Sequence, residues 1–309
     1  MRRVLIIGTG AMASLFGARI SAAGYLVALF GSWIPAIEAI RAKGITLIGP
    51  ESGSRSIPIS LVTNDPQRLI SFDIVLFLNK TYQLESVLTK LTPWGNEFLH
   101  PTSVLVTMQN GIGNKEKIQA SLVNRSVLAG TTTYAAKLIT PGTILQTGDG
   151  KVMLPIVPES AEIVEILKQV GFSLSTVADI DALLWGKLVI NSAINPLTAI
   201  HRVPNGVLLE DTALRRKMAE TVTESASIAS ALGIILPYAD PVLEVESVCA
   251  ATAENLSSML QDVERCGETE IDAINGEIIA AALGCHIPAP QNLALYEAVK
   301  GRGFNNKVG

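Results

Sequence analysis

The sequence predicts an α/β N-terminal domain of Rossmann type that binds a dinucleotide, followed by an all-α C-terminal domain. Three observations lead there. Short β-rich runs alternate with helical segments through the first half, as a parallel sheet covered by helices requires. A G-x-G-x-x-A motif formed by Gly8, Gly10 and Ala13 joins the first run to the first helical segment. From about Asp179 onward no β-rich run survives, and long stretches carry helical periodicity. A chain of 309 residues is roughly twice the usual domain length, and the change of character places the boundaries at 1–177 and 178–309.

The elements follow in order. The start, MRRVLIIGTG, has the two arginines and apolar run of a secretory leader, but glycine interrupts the run after four residues, so it reads as the first strand. A helix from Met12 to Ala23, a strand in YLVALF and a helix over Ile34 to Lys43 come next. Strands are then expected in DIVLFLN, at Ser103 to Met108 and at Ser126 to Ala129. Between Thr131 and Pro155 the chain is rich in Thr and Gly, with PG at Pro141 and GDG at Gly148, which predicts one or two hairpins. FSLSTV from Phe172 closes the strands. Helical periodicity then runs through the segment around Lys187 and through Leu208 to Leu232, Pro241 to Glu264 and Thr269 to Leu283. No flexible linker separates the halves, so an interdomain cleft is the expected place for a ligand.

Composition narrows the function classes. Hydrophobic residues make up 48% and charged residues 17%, yet no apolar run approaches the roughly 18 to 20 residues that span a bilayer. A net charge of −4 with scattered Lys and Arg gives no basic stripe and argues against a nucleic-acid partner. Cys249, Cys266 and Cys285 are odd in number and widely spaced, which suits reduced thiols in a cytoplasm and lacks a metal-ligand pattern. The helical half is apolar enough to hide a homodimer interface.

In the glycine motif, Gly8 permits a tight turn, Gly10 lets the backbone approach a pyrophosphate, and Ala13 lets helix and strand pack closely. Gly8, Thr9, Gly10, Ala11 and Met12 are thus the expected phosphate loop. Cofactor choice is read after the second strand, in LFGSW. An acid there would bind both ribose hydroxyls, but Ser32 takes the place and no acid precedes Glu38. The absent carboxylate leaves room for a 2′-phosphate, so NADP(H) is expected, with NAD(H) still open and Arg41 and Lys43 the nearest cations.

The candidate catalytic group is Lys187, alone as a charge within LLWGKLVINSAINPLTAI. On a helix, Lys187, Asn191 and Asn195 fall within a stripe about 80° wide. Burying an unpaired ammonium costs several kcal/mol, on the order of the penalties for isolated charge, so a cleft or a distant acid must receive it. Lys80 after DIVLFLN, and Gln109, Asn110 and Gly111 after SVLVTM, stand where a Rossmann sheet presents ligand groups. Asn255, Ser258 and Asp262 are expected on one helical face, with Glu270 in the first turn of the next helix. Thr269 and Asp272 there resemble a capping box. Glu270 is the expected partner of Lys187.

Taken together, GTGAMA, KTYQ from Lys80, QNG from Gln109, GTTTYAA from Gly130, LWGKLVINSAINPLTAI, PNG at Pro204 and ENLSSMLQDVERCGETEIDAING resemble ketopantoate reductases (2-dehydropantoate 2-reductases), in the same order from Arg3 to about Lys300. The resemblance implies NAD(P)H-dependent reduction of ketopantoate to pantoate for the pantothenate and coenzyme A route. It implies Lys187 as the general acid and Glu270 as the acid supporting substrate and lysine. Asn110 and Ser258 would lie around the substrate carboxylate and nicotinamide, Asn191, Asn195, Asn205 and Asn255 would complete the substrate cleft, and Lys80 would stand near the cofactor. Two positions depart from the family pattern: Ser32 stands where many members carry Arg, and Ala13 replaces the third glycine. His100, His201 and His286 match no catalytic position and are expected to be structural or on the surface. Alternatives of other kinds are a reductase of another small branched 2-oxo acid and a non-catalytic dinucleotide-binding regulator.

Overall fold

Val4 and Ile6 face one side of the first strand and Leu5 and Ile7 the other, and all four are fully buried. A strand buried on both faces belongs inside a parallel sheet covered by helices. In the computed structural model, which describes residues 2–49, 53–265 and 267–301, the chain forms two compact units. One comprises Met1–Gln109 with Gly113–Ile180, the other Asn110–Ile112 with Asp181–Gly309. Cys266 lies outside the described residues.

The first unit runs β1 (Arg3–Ile7), α1 (Ala11–Ala22), β2 (Leu26–Phe30), α2 (Ile34–Lys43), β3 (Ile45–Ile48), β4 (Ser54–Ile57), β5 (Leu61–Thr63), β6 (Phe72–Phe77), α3 (Leu84–Leu91), α4 (Gly95–Phe98), β7 (Leu99–Thr107), α5 (Asn114–Ser121) and β8 (Ser126–Ala129). It continues with β9 (Thr131–Thr132), β10 (Ala135–Thr140), β11 (Thr143–Gly148), β12 (Val152–Pro155), α6 (Ala161–Gln169) and β13 (Leu174–Val177). Six strands form one sheet in the order β5-β2-β1-β6-β7-β8, and every pair in it is parallel. The order reverses between β1 and β6, which makes the gap beyond their carboxyl ends the switch point where such sheets take ligands.

The sequence reading places no strand between Lys43 and Asp73, yet β3, β4 and β5 lie there. Their pairing explains the omission. β3 and β4 form a short antiparallel pair whose register sets Ile45 opposite Ile57, and β3 also runs parallel to β11. Partners almost a hundred positions away, rather than local propensity, make β3 a strand. The PG turn at Pro141 does join an antiparallel hairpin of β10 and β11, and β9 pairs antiparallel with β12.

The second unit is helical: α7 (Ile180–His201), α8 (Val207–Glu210), α9 (Thr212–Ala231), α10 (Pro241–Ala251), α11 (Ser258–Glu264), a π-helical turn (Asp272–Gly276), α12 (Glu277–Gly284) and α13 (Pro290–Gly301). No helix among the described residues is long and apolar enough to cross a membrane. Two expected segments are broken by caps. Asp211 accepts hydrogen bonds from Ala213 N and Leu214 N at 2.8 and 3.0 Å and starts α9 afresh. Ser257 accepts from Leu260 N at 3.1 Å and starts α11. Asn255 therefore precedes the helix and does not share a helical face with Ser258 and Asp262. The expected capping box at Thr269 is also replaced, since a π-helical turn with no side-chain cap opens this segment.

Candidate active site

In the first unit the glycine motif is shaped for an anion. Gly8 takes φ +127°, and a Cβ there would sit 3.0 Å from Asn79 N, so only glycine brings β1 this close to the end of β6. Gly10 is the N-cap of α1 and offers no side-chain cap, which leaves the first amides of a twelve-residue helix, beginning at Ala11 and Met12, without a side-chain acceptor. A Cβ on Gly10 would meet nothing within 4 Å. An open helix N-terminus behind a tight glycine turn fits a pyrophosphate. Thr9 is buried, with its side chain packed toward Gly31.

Across the switch point, Asn79 donates through Nδ2 to Lys80 O at 3.0 Å, and Gln109 donates through Nε2 to Asn79 O at 3.0 Å. These bonds fix the backbone on which the half-buried Lys80 stands. Ser32 is exposed just beyond β2. The two cations considered for that end are placed elsewhere. Arg41 and Lys43 sit in the last turn of α2, about 10 Å along the helix axis from its start at a rise of 1.5 Å per residue. Arg41 also donates through Nε to Val62 O at 2.7 Å.

In the second unit, Lys187 projects from α7, with Asn191 half-buried and Asn195 buried farther along the same stripe. Burial pushes the Lys187 ammonium below the ordinary lysine range, and the nearby Glu270 carboxylate pulls it part of the way back. Glu270 is itself only 5% exposed and accepts a 2.9 Å hydrogen bond from Asn110 Nδ2. Three sequence-predicted residues thus meet: an ammonium, a carboxylate that steadies it, and an amide that orients the carboxylate. Gly111 permits this approach, because it takes φ +85° and a Cβ on it would lie 2.2 Å from Ala273 O.

Three further expected substrate residues lie in the same unit. Asn205 is buried and donates through Nδ2 to Thr252 Oγ1 at 2.9 Å, while its backbone N–H donates to Asn255 O at 3.0 Å. Asn205 and Asn255 therefore tie two loops together. The Asn255 side chain is exposed, as is Ser258 on the first turn of α11. His100 pairs with Ser71 Oγ.

Sequence reasoning passes over three residues around this cluster. Tyr238 donates to the carbonyl of Gly186, next to Lys187, at 3.0 Å. Pro196 lies inside α7, and Asn275, fully buried, donates to the carbonyl of Ser192 at 2.8 Å. A proline in an unbroken helical pattern was the available signal, since it demands a substitute donor for the carbonyl four residues earlier.

Comparison with known proteins identifies the family. Residues 4–159 match the family described as ketopantoate reductase PanE/ApbA, and residues 179–303 match its C-terminal counterpart. A 2-dehydropantoate 2-reductase of Archaeoglobus fulgidus is 33% identical over 306 residues, covering 97% of this chain and 98% of that one. A 2-dehydropantoate 2-reductase of Vibrio cholerae is 34% identical, with 96% of each chain covered. Among solved structures, a PanE/ApbA family ketopantoate reductase from Ralstonia eutropha superposes with a TM-score of 0.89 at 27% identity, covering 96% of this chain and 97% of that one. A D-mandelate dehydrogenase with NADH and anilino(oxo)acetate superposes with a TM-score of 0.86 at 25% identity, covering 97% and 98%.

Proposed function

The chain belongs to the ketopantoate reductase PanE/ApbA family of NAD(P)H-dependent 2-oxo acid reductases, and on that premise we propose that it reduces 2-dehydropantoate to pantoate with Lys187 as the general acid. The observation that carries the reading is the cluster of the half-buried Lys187 and Asn110 about the buried Glu270. Reduction of a 2-oxo acid turns its carbonyl oxygen into an alkoxide. An ammonium in a site shielded from water both stabilises that oxygen and protonates it.

Gly8, Gly10 and the first amides of α1 would hold the pyrophosphate of a nicotinamide dinucleotide, with Lys80 at the end of β6 beside it, and the bound cofactor would supply the hydride. Lys187 Nζ delivers the proton to the C2 oxygen of the substrate. Glu270 keeps the lysine charged against the penalty of burial, and Asn110 keeps the carboxylate turned toward it. Asn191, Asn195 and Ser258 offer polar groups for the substrate carboxylate and hydroxyl. The product would enter the pantothenate and coenzyme A route in the cytoplasm, and NADPH is the expected donor, with NADH an alternative that Ser32 leaves open.

A second reading is favoured by the likeness to D-mandelate dehydrogenase: reduction of another 2-oxo acid on the same machinery. One assay separates the two. Purified protein is given ketopantoate or 2-oxoisovalerate, which lacks the hydroxyl, with NADPH or NADH, and the loss of reduced cofactor is followed by absorbance. A site built to bind that hydroxyl discriminates by a factor on the order of 10² or more. Equal kcat/KM for both acids would favour the broader reductase, and no turnover with any pair would sink the enzymatic reading.

A further inference from the structure

Pro196 breaks the hydrogen-bond ladder of α7 nine residues after Lys187. Having no N–H, it cannot serve the carbonyl of Ser192, four residues earlier, and its ring crowds that carbonyl. Ser192 is fully buried, so water cannot replace the missing donor, and an orphaned buried carbonyl is costly. The replacement comes from 83 positions along the chain, where Asn275 Nδ2 donates to Ser192 O at 2.8 Å.

Asn275 is held firmly for this purpose. Its second amide proton goes to Asn292 Oδ1 at 3.0 Å. Asn292, also fully buried, donates its own amide to Glu224 Oε1 at 2.8 Å and to Ser225 Oγ at 2.9 Å. Glu224 completes the chain of bonds by accepting Gln291 N and Asn292 N at 2.8 and 2.9 Å, at the start of α13. With both protons committed, the Asn275 amide has one orientation.

Asn275 sits in the π-helical turn that begins two residues after Glu270. The other side of that turn bears on Gly111, whose missing Cβ would strike Ala273 O, and Gly111 is the neighbour of Asn110. The turn is therefore pinned to α7, which carries Lys187, and to the loop that carries the amide partner of Glu270. π-Helical turns concentrate at functional sites.

We propose that Asn275 is a positioning residue for the reductase reaction, which sets the Glu270 carboxylate against Lys187 by giving the Ser192 carbonyl the hydrogen bond that Pro196 withholds. The inference rests on the reading of Lys187 as the general acid. It adds that the proline and the asparagine form one device.

The device predicts a rescue. In the full-length protein, Asn275→Ala lowers kcat about tenfold or more, the scale expected when a catalytic group is displaced by a fraction of an ångström to an ångström. Pro196→Ala returns an N–H to α7 at Ser192, so the double variant Pro196→Ala/Asn275→Ala recovers kcat toward wild type. Lys187 is also titrated without substrate, by NMR of lysine-labelled protein, its signal assigned by its loss in Lys187→Ala. In Asn275→Ala that titration moves to lower pH, because the carboxylate that supports the ammonium has receded.

A kcat within about twofold of wild type in Asn275→Ala, or a double variant as impaired as the single one, would overturn the proposal. So would an unmoved Lys187 titration. Should Asn275→Ala fail to fold, the comparison is made within Pro196→Ala, where removing Asn275 is expected to cost less than about twofold and a larger loss overturns the idea. Absence of turnover in wild type would instead remove the reductase reading, while the Lys187 titration would still report whether Asn275 positions its neighbour.

Discussion

The side-chain amide of Asn110 donates to Glu270 Oε2 at 2.9 Å, across 160 positions of sequence. A hydrogen bond to a carboxylate that is 5% exposed is worth more than one at a surface, since little water competes for the oxygen. The same carboxylate acts on the Lys187 ammonium, whose charged form it favours. The short segment Asn110–Ile112, which belongs with the helical unit, thereby becomes part of the proposed proton-donating apparatus.

Removal of the ammonium tests that apparatus most directly. Lys187→Ala is expected to lower turnover by about 10² or more, the usual size of a general-acid contribution, with a smaller change in KM. Steady-state assay with ketopantoate checks this, and near-wild-type kcat in the variant would exclude Lys187 as the acid.

The pH profile follows from the direction of the Lys187 shift. A general acid works while protonated, so activity is present at lower pH and is lost as pH rises through the pKa of Lys187. Burial lowers that pKa and Glu270 raises it, which places the alkaline limb below the ordinary lysine range. Glu270→Gln removes the raising influence and is expected to move the limb to still lower pH. A limb that stays in place in that variant would uncouple the two groups.

Gly111→Ala is expected to damage both stability and turnover. The position requires φ +85°, and the added methyl would stand 2.2 Å from Ala273 O. Loss of about 1–3 kcal/mol is the common result of forcing a Cβ into such a site. Thermal unfolding and turnover are measured together, and an unchanged melting temperature would show that the loop has room to move.

Cofactor preference offers a gain-of-function test. Ser32→Arg places a guanidinium just beyond β2, whereas Arg41 stands in the last turn of α2 with its Nε given to Val62 O. The ratio of kcat/KM for NADPH over NADH is expected to rise about tenfold, on the scale of one charge-assisted contact. No change in the ratio would mean that the ribose phosphate is met elsewhere.

Cys249 is fully buried and its thiol is pushed up to about 11, by burial first and by Glu246 second. The thiolate is the reactive form. Native protein treated with a thiol reagent near neutral pH is expected to leave Cys249 unlabelled until it unfolds, as peptide mapping by mass spectrometry would reveal; rapid labelling would contradict its burial.

Much of the α/β unit is legible because a doubly covered strand must be apolar throughout, and runs such as Val4 to Ile7 have few other uses. β3 and β4 are not legible, since SRSI becomes a strand only when Ile57 finds Ile45. In the site, Lys187 announces itself as a lone charge among apolar residues, and Glu270 as an acid at a segment start. The bond from Asn205 N–H to Asn255 O joins two loops through the backbone, which no side chain in the sequence announces. Asn275 is silent until Pro196 is placed beside it.

The π-helical turn after Glu270 has a consequence for chain length. Such a turn accommodates one residue more than α-helical winding would, and deleting any one of Asp272 to Gly276 invites the segment to relax into regular α form. Each residue of an α-helix turns the chain by about 100°. Four residues in α form turn the chain about as far as the five of the π turn, so a single deletion would leave the buried Ile278 and Ala282 of α12 on their packing face. What it would displace is Asn275, whose reach to the Ser192 carbonyl depends on the extra residue and would be lost with one codon.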